Sequence, residues 1–170
     1  MALVKDVLAY ICSKYPNPLE LSKVKLIKML YLVDWRSALV RGTQVTDRRW
    51  SINETGPYCD IEQDQFPPFG QRQNVLQWGS SWHMPRFSAS EYHSPDGGLS
   101  WGASTGWGSL DDEEKRIVDF VLKTTSTRFL GEFVQLVHST YPVSQSDDDQ
   151  TRLDLVDLAR RYKASEKIAR

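Results

Sequence analysis

Between Leu26 and Val33 the chain reads Leu-Ile-Lys-Met-Leu-Tyr-Leu-Val. The helix that this run predicts starts at a cap near Asn17 or Ser22, extends to about Val40, and has almost no polar face. A helix that is apolar nearly all round is covered by neighbours on several sides. Any fold of this chain is therefore built around that segment. At 100° per residue, Lys25, Lys28 and Arg36 share one narrow stripe, while Asp34 falls on the other side, near Ile27, Leu30 and Ala38. A carboxylate placed there needs hydrogen-bond donors or a cation, because an unpaired buried charge is costly. Backbone amides, Arg48 and Arg49 are the candidate partners. Gly42 supplies the stop signal at the C-terminal end.

The flanking sequence supplies neighbours for this helix. Leu3, Val4, Val7, Leu8 and Ile11 form one helical stripe, which ends before Tyr15-Pro16 because proline disfavours helical geometry in the residue before it. Arg48 to Ile52, within Thr46 to Asn53, alternates as a strand does. Gly56-Pro57 marks a turn or the mouth of a short helix. Ser109, followed by four residues rich in acid, predicts a cap and a helix with Ile117, Val118, Val121 and Leu122 inward. Leu130, Phe133, Val134 and Val137 predict another helix, ending before Pro142. Leu155, Val156, Ala159 and Tyr162 predict a last one, whose polar end frays from Lys163.

The stretch from Gln71 to Gly108 differs in character. It holds Trp78, Trp82, Trp101 and Trp107, with many Gly and Ser residues. A plain linker would not carry that much aromatic surface, so it reads as an irregular β element or a partly ordered loop. Tryptophan supplies large contact area at low entropic cost and suits a protein interface. Trp78 and Trp101 read as core, Trp82 and Trp107 as interface anchors.

Charge and motifs narrow the function classes. The formal net charge of the 170 residues is −1, which argues against a protein that coats nucleic acid. The charge is unevenly spread. Residues 1–49 carry nine Lys/Arg against four Asp/Glu, and residues 50–112 carry two against eight. No nearly apolar run is long enough to span a membrane, and Asp6 comes too early for the apolar core of a signal peptide. Cys12 and Cys59 lie far apart with no Cys/His cluster, as reduced, packed thiols do. No phosphate loop, nucleophile elbow, zinc-protease helix or dinucleotide fingerprint is present. His83 and His93, with Glu91 and Asp96 nearby, could form a metal or general-base site, the basis of a rival reading as a small hydrolase. Lone histidines are more often structural, and His138, beside an apolar stripe, reads as capping or packing.

Ser22 to Trp35, reading Ser-Lys-Val-Lys-Leu-Ile-Lys-Met-Leu-Tyr-Leu-Val-Asp-Trp, resembles the K-L-x-K-L-L-Y-[LF]-A-[DE] signature that opens Panacea domains, also called SocA-like antitoxin or GepA-type phage-associated domains. Three further pieces follow in order. Gly42 to Asp47 resembles the family's G-x-P-[IL]-T-x turn. Trp50 to Tyr58, with Gly56-Pro57, resembles its aromatic strand ending in G-P-V. Leu130 to Pro142, with His138, resembles its late helix ending in L-x-x-x-[TS]-H-x-x-x-P. The chain departs at Met29, where Leu is usual, at Tyr58, where Val is usual, and at Val143, where Trp is common. The tryptophan-rich stretch has no counterpart in the pattern.

The resemblance implies a helical domain that binds and neutralises toxin proteins, with one branch of the family delivering its toxin to a protease. The expected fold is mainly α (α+β), a compact helical domain around a buried central helix with a small β element. Residues 1–145 form the Panacea-like domain, with the Trp/Gly-rich insertion at about 71–108. Residues 146–170 add an acidic loop and a helix packed on the same domain. The expected function is that of a cytoplasmic, non-enzymatic antitoxin of a toxin–antitoxin or phage-defence pair. The alternatives are a protease adaptor, an interaction subunit without a toxin, or the hydrolase. Expected partners are a cognate toxin and, in the adaptor case, a protease, with no membrane, nucleic acid, cofactor or metal. Trp82, Glu91, Asp96 and Trp107 are the partner-binding candidates. Lys28, Tyr31, Asp34, Trp50, Gly56, Pro57 and His138 are the structural ones.

Overall fold

The structure is a computed structural model in which residues 1–16, 21–61, 108–146 and 152–168 are described. Helix α1 (Val4–Lys14) buries Val4, Val7, Leu8 and Ile11. It ends where Tyr15 turns extended (ψ 127°), as a residue before proline should. Helix α2 (Lys23–Arg41) starts at Ser22, whose hydroxyl accepts a hydrogen bond from the Lys25 amide at 3.1 Å. Thirteen of its residues are buried, and they fall all round its circumference. At its end Gly42 is left-handed (φ 75°), and its amide donates to the Ala38 carbonyl at 3.1 Å.

The β element is a three-stranded antiparallel sheet in the order β2-β1-β3. Strands β1 (Trp50–Asn53) and β2 (Gly56–Tyr58) form a hairpin, with Asn53 opposite Gly56. The Asn53 side chain accepts from the Thr55 amide at 2.9 Å, a local bond that favours asparagine at the start of a tight turn. Gly56-Pro57 thus forms a strand, not the mouth of a helix. Proline is tolerated because β2 lies at the sheet edge. Strand β3 (Arg152–Leu153) closes the other side of β1. Two residues are too few to show a periodicity, so sequence reading missed it. Trp50 and Ile52 alternate inward, as expected for a half-buried strand, and Trp50 meets Tyr31 and Asp34 of α2.

Four further helices follow among the described residues. Helix α3 (Asp112–Thr125) is capped by Asp111, not Ser109. The Asp111 carboxylate accepts from the Glu114 amide and the Glu114 carboxylate accepts from the Asp111 amide, a reciprocal capping box. Ser109 instead bonds Asp6 and the Leu3 amide, fastening the start of α1. The Arg41 guanidinium lies 3.3–3.4 Å from Asp111, Glu113 and Glu114 and so joins the end of α2 to the start of α3. Helix α4 (Leu130–His138) buries Phe133 and Val137, and the short α5 (Tyr141–Ser144) follows with Pro142 in its first turn. Helix α6 (Leu155–Ile168) packs on α2, with Trp35 and Tyr162 meeting edge to face at 6.3 Å. It stays helical beyond Lys163, where fraying was expected.

α2 therefore has α1, α3, α6 and the hairpin around it, which is why its sequence has no polar face. Mainly α with a small antiparallel sheet is the fold expected from the sequence. Among the described residues no helix is long and apolar enough to cross a membrane.

The stop at Gly42 gives a clean test, because a Cβ there would meet nothing within 4 Å. Gly42→Ala should cost about 1 kcal/mol in a urea melt, all of it backbone strain from the left-handed geometry. Gly42→Asn should cost less.

Candidate functional site

Along its buried length α2 carries a polar side chain at every third position: Lys25, Lys28, Tyr31 and Asp34. Each is 3% exposed or less. Three residues advance a helix by about 300°, so each successive side chain is displaced by about 60° and the four wind around half the circumference. Each consequently reaches a different neighbour.

The Lys25 ammonium donates to the Tyr15 hydroxyl at 2.6 Å and lies over the rings of Tyr15 and Phe133, 4.9 and 5.8 Å from their centres. It fastens the segment after α1. The Lys28 ammonium donates to the Thr55 carbonyl in the hairpin turn. The Tyr31 hydroxyl bonds Thr140 Oγ1 at 2.8 Å, between α4 and α5, while its ring meets Trp50 edge-on at 5.4 Å. Burial raises the Tyr31 pKa, so the phenol stays neutral.

Asp34 is the most heavily bonded of the four. Its Oδ1 accepts from the amides of Val45 (3.0 Å) and Thr46 (2.9 Å). Its Oδ2 accepts from the Thr46 hydroxyl (2.6 Å), the Trp50 indole (3.0 Å) and the Gln44 amide (3.4 Å). Burial pushes its pKa up to about 6, against the lowering effect of the bonds from Thr46, Trp50 and Val45. Neither Arg48 nor Arg49 pairs with it. The Arg48 guanidinium turns outward to Asp47 at 3.0 Å and to the Asp60 carbonyl at 3.4 Å. Backbone amides do the work because residues 45 and 46 pass directly beside the helix, where a guanidinium would have to be desolvated as well.

Residues far apart in sequence meet where the hairpin touches α4. Gly56 has φ 97°, and a Cβ on it would lie 3.0 Å from His138 Nε2 and 3.3 Å from Lys28 Nζ. Two reasons for glycine thus coincide, the backbone angle and the space taken by the imidazole. His138 itself is exposed, at the last turn of α4. Pro57 is buried opposite Ile52. The structure thus brings Lys28, Gly56 and His138 to one spot and links Asp34 to Tyr31 through Trp50.

Sequence reading did not single out Tyr15, Gln44, Thr46, Thr55 or Thr140 as partners, although all but Tyr15 lie in the family-like pieces. Their signal is weak, since neutral polar residues near loops are common. Trp82, Glu91, Asp96, Trp107, His83 and His93 lie outside the described residues, as does most of the stretch 71–108. Among the described residues no group of three or more His, Cys, Asp or Glu could hold a metal ion. Cys12 and Cys59 are free, and burial pushes both thiols up to about 12, which leaves them unreactive at neutral pH.

Asp34→Ala should cost about 3 kcal/mol or more in urea unfolding, since it strands several buried donors. Asp34→Asn should cost about 2 kcal/mol, because its amide nitrogen would face N–H groups where an acceptor is needed. A loss under about 0.5 kcal/mol for the alanine variant would mean that the site is solvated. The pH dependence has a definite sign. With its folded pKa raised, Asp34 contributes its full stability below about pH 4, and that contribution falls as pH rises through 6. The step should be on the order of 3 kcal/mol at most and absent in Asp34→Asn.

Lys28 acts in the alkaline range. Burial lowers its pKa to about 8 from an ordinary 10.5. Between those values the unfolded chain binds the proton that the folded chain has shed, so stability should rise with pH there. Melts of the wild type and Lys28→Met from pH 7.5 to 10.5 would show the rise in the first and not in the second.

Comparison with curated proteins and with solved structures gave no match to this chain. The family model described as "Antitoxin SocA-like, Panacea domain" matches residues 26–142, well over half of the chain. The matched span contains Lys28, Tyr31, Asp34, Trp50, Gly56, Pro57 and His138, the residues that tie α2 to the hairpin and to α4. The chain belongs to the SocA-like antitoxin Panacea domain family.

Proposed function

We propose that this chain is a protein-binding antitoxin, acting in the cytoplasm, that neutralises a cognate toxin by direct steric contact. The observation that carries the reading is the family match across residues 26–142. The inward placement of the family-like side chains supports it. Lys25, Tyr31 and Asp34 point inward and hold the helices and hairpin together, so they build a scaffold on which other residues can serve recognition. Binding residues tend to sit on connecting segments carried by such a scaffold. The partner would be held over its active face or kept from assembling, with no bond made or broken by the antitoxin.

The direct test is genetic. An adjacent open reading frame that kills when expressed alone should be tolerated when this chain is co-expressed, and the two proteins should copurify. Rescue with loss of the toxin protein would point instead to delivery to a protease. Absence of any rescued toxin would overturn the reading.

Residues 71–108 are the proposed contact segment, with Trp82 and Trp107 as anchors and Glu91 and Asp96 as steering charges. Toxins that cleave or modify nucleic acid have basic clefts, and an acidic middle third would attract one. Trp82→Ala or Trp107→Ala should weaken toxin binding by about 2 kcal/mol in a titration, with unchanged thermal melts. Replacing both acids should slow association and flatten its salt dependence.

A further inference from the structure

Among the described residues the buried ionised groups are well partnered, with Lys28 the exception. Asp34 accepts five hydrogen bonds, and Glu114 meets both the Asp111 amide and Arg41. Lys28 is as deeply buried, at 3% exposure, yet the Thr55 carbonyl is its one hydrogen-bond partner among the described residues. An ammonium has three donors. No carboxylate among the described residues forms an ion pair with it, and Glu54, in the same hairpin turn, is exposed.

A second nitrogen stands beside it. His138 Nε2 and Lys28 Nζ lie 3.0 and 3.3 Å from one point, the position that a Cβ on Gly56 would take, and no hydrogen bond joins the two side chains. The lysine comes from α2 and the imidazole from the last turn of α4. Gly56 has no side chain to stand between them. Tyr31, three residues along α2, is turned to Thr140, Lys25 to Tyr15 and Arg36 to the Phe120 ring, and none of them takes part. Two nitrogens meeting at Gly56, one buried and one on an exposed residue, with no acid among the described residues bonded to them, match the two oxygens of a carboxylate.

We propose that Lys28 and His138 form a carboxylate site, into which the partner protein inserts an Asp or Glu side chain when it docks against the hairpin and α4. The inference rests on the reading of the chain as a toxin-binding protein. Insertion would supply the negative charge that no described residue gives this buried ammonium, so the site favours an acidic side chain over a neutral one. His138, being exposed, is the edge that the incoming group meets first.

The test has two arms. In the first, sodium acetate is titrated against the full chain at constant ionic strength with chloride, and the His138 ring resonances are followed by NMR. A saturable shift that weakens at least tenfold in Lys28→Met is expected. A linear drift identical in both proteins, or an equal response to chloride, would overturn the site. In the second arm, binding of the neutralised toxin is measured with Lys28→Met and with His138→Gln. The histidine variant changes an exposed residue and keeps the test valid if the lysine variant fails to fold. A tenfold or greater loss of affinity with an unchanged melt supports the docking role, and normal binding by His138→Gln and a folded Lys28→Met overturns it. If no toxin is rescued by the wild type, the functional reading fails, while the acetate arm still decides whether the anion site exists.

Discussion

The carboxylate of Asp34 is the interaction on which the rest of the architecture depends. A helix apolar on all sides has no preferred rotation about its axis, because every rotation buries a similar area. Hydrogen bonds are directional and break that degeneracy. Five donors converging on Asp34 fix which side of α2 faces Val45, Thr46 and Trp50. The sheet then follows, since Trp50 opens β1 and β1 is the central strand. Lys25, Lys28 and Tyr31 repeat the device at successive angles, so the segment after α1, the hairpin turn and the α4–α5 junction are each aligned on α2 by a polar contact. Such contacts cost desolvation and confer uniqueness of packing.

What could be read from the chain alone follows from the range of the interactions involved. Helices α1 and α2 were legible to within a turn because hydrophobic spacing, the Ser22 cap and the Gly42 stop are local signals. The alternation of Trp50 to Asn53 exposed β1 for the same reason. β3 was not legible, because Arg152 and Leu153 become a strand only by pairing with Trp50 and Ser51, a hundred residues away. The start of α3 was misplaced to Ser109 since Ser109 and Asp111 carry equal local cap signals. Only the tertiary contact between Ser109 and Asp6 decides which of them is free to cap.

The candidate site shows the same division. That Asp34 needs a partner followed from helical periodicity. That the partners would be two amides, a hydroxyl and an indole, with the nearby arginines turned to solvent, did not follow. It depends on the path of residues 43–50 past the helix. The family-like pieces were recognisable as separate words, yet nothing in their spacing placed His138 against Gly56 or Lys28 beneath both. That juxtaposition comes from the way α4 lies across the hairpin, a packing choice made by Phe133 and Val137 on its other face.

The packing of α6 on α2 also sets a timetable. Residues 155–168 are synthesised more than a hundred residues after the helix they cover. A growing chain that has already formed α1, α2 and the hairpin still shows the Trp35 side of α2 to its surroundings, because the ring that meets Trp35 belongs to Tyr162. At about 5–20 residues per second this lasts for several seconds or more of every round of translation. An interrupted chain never covers that face at all. The apolar face that α6 would cover stays open to aggregation in such a chain, so the core closes only once the chain has been read as far as α6.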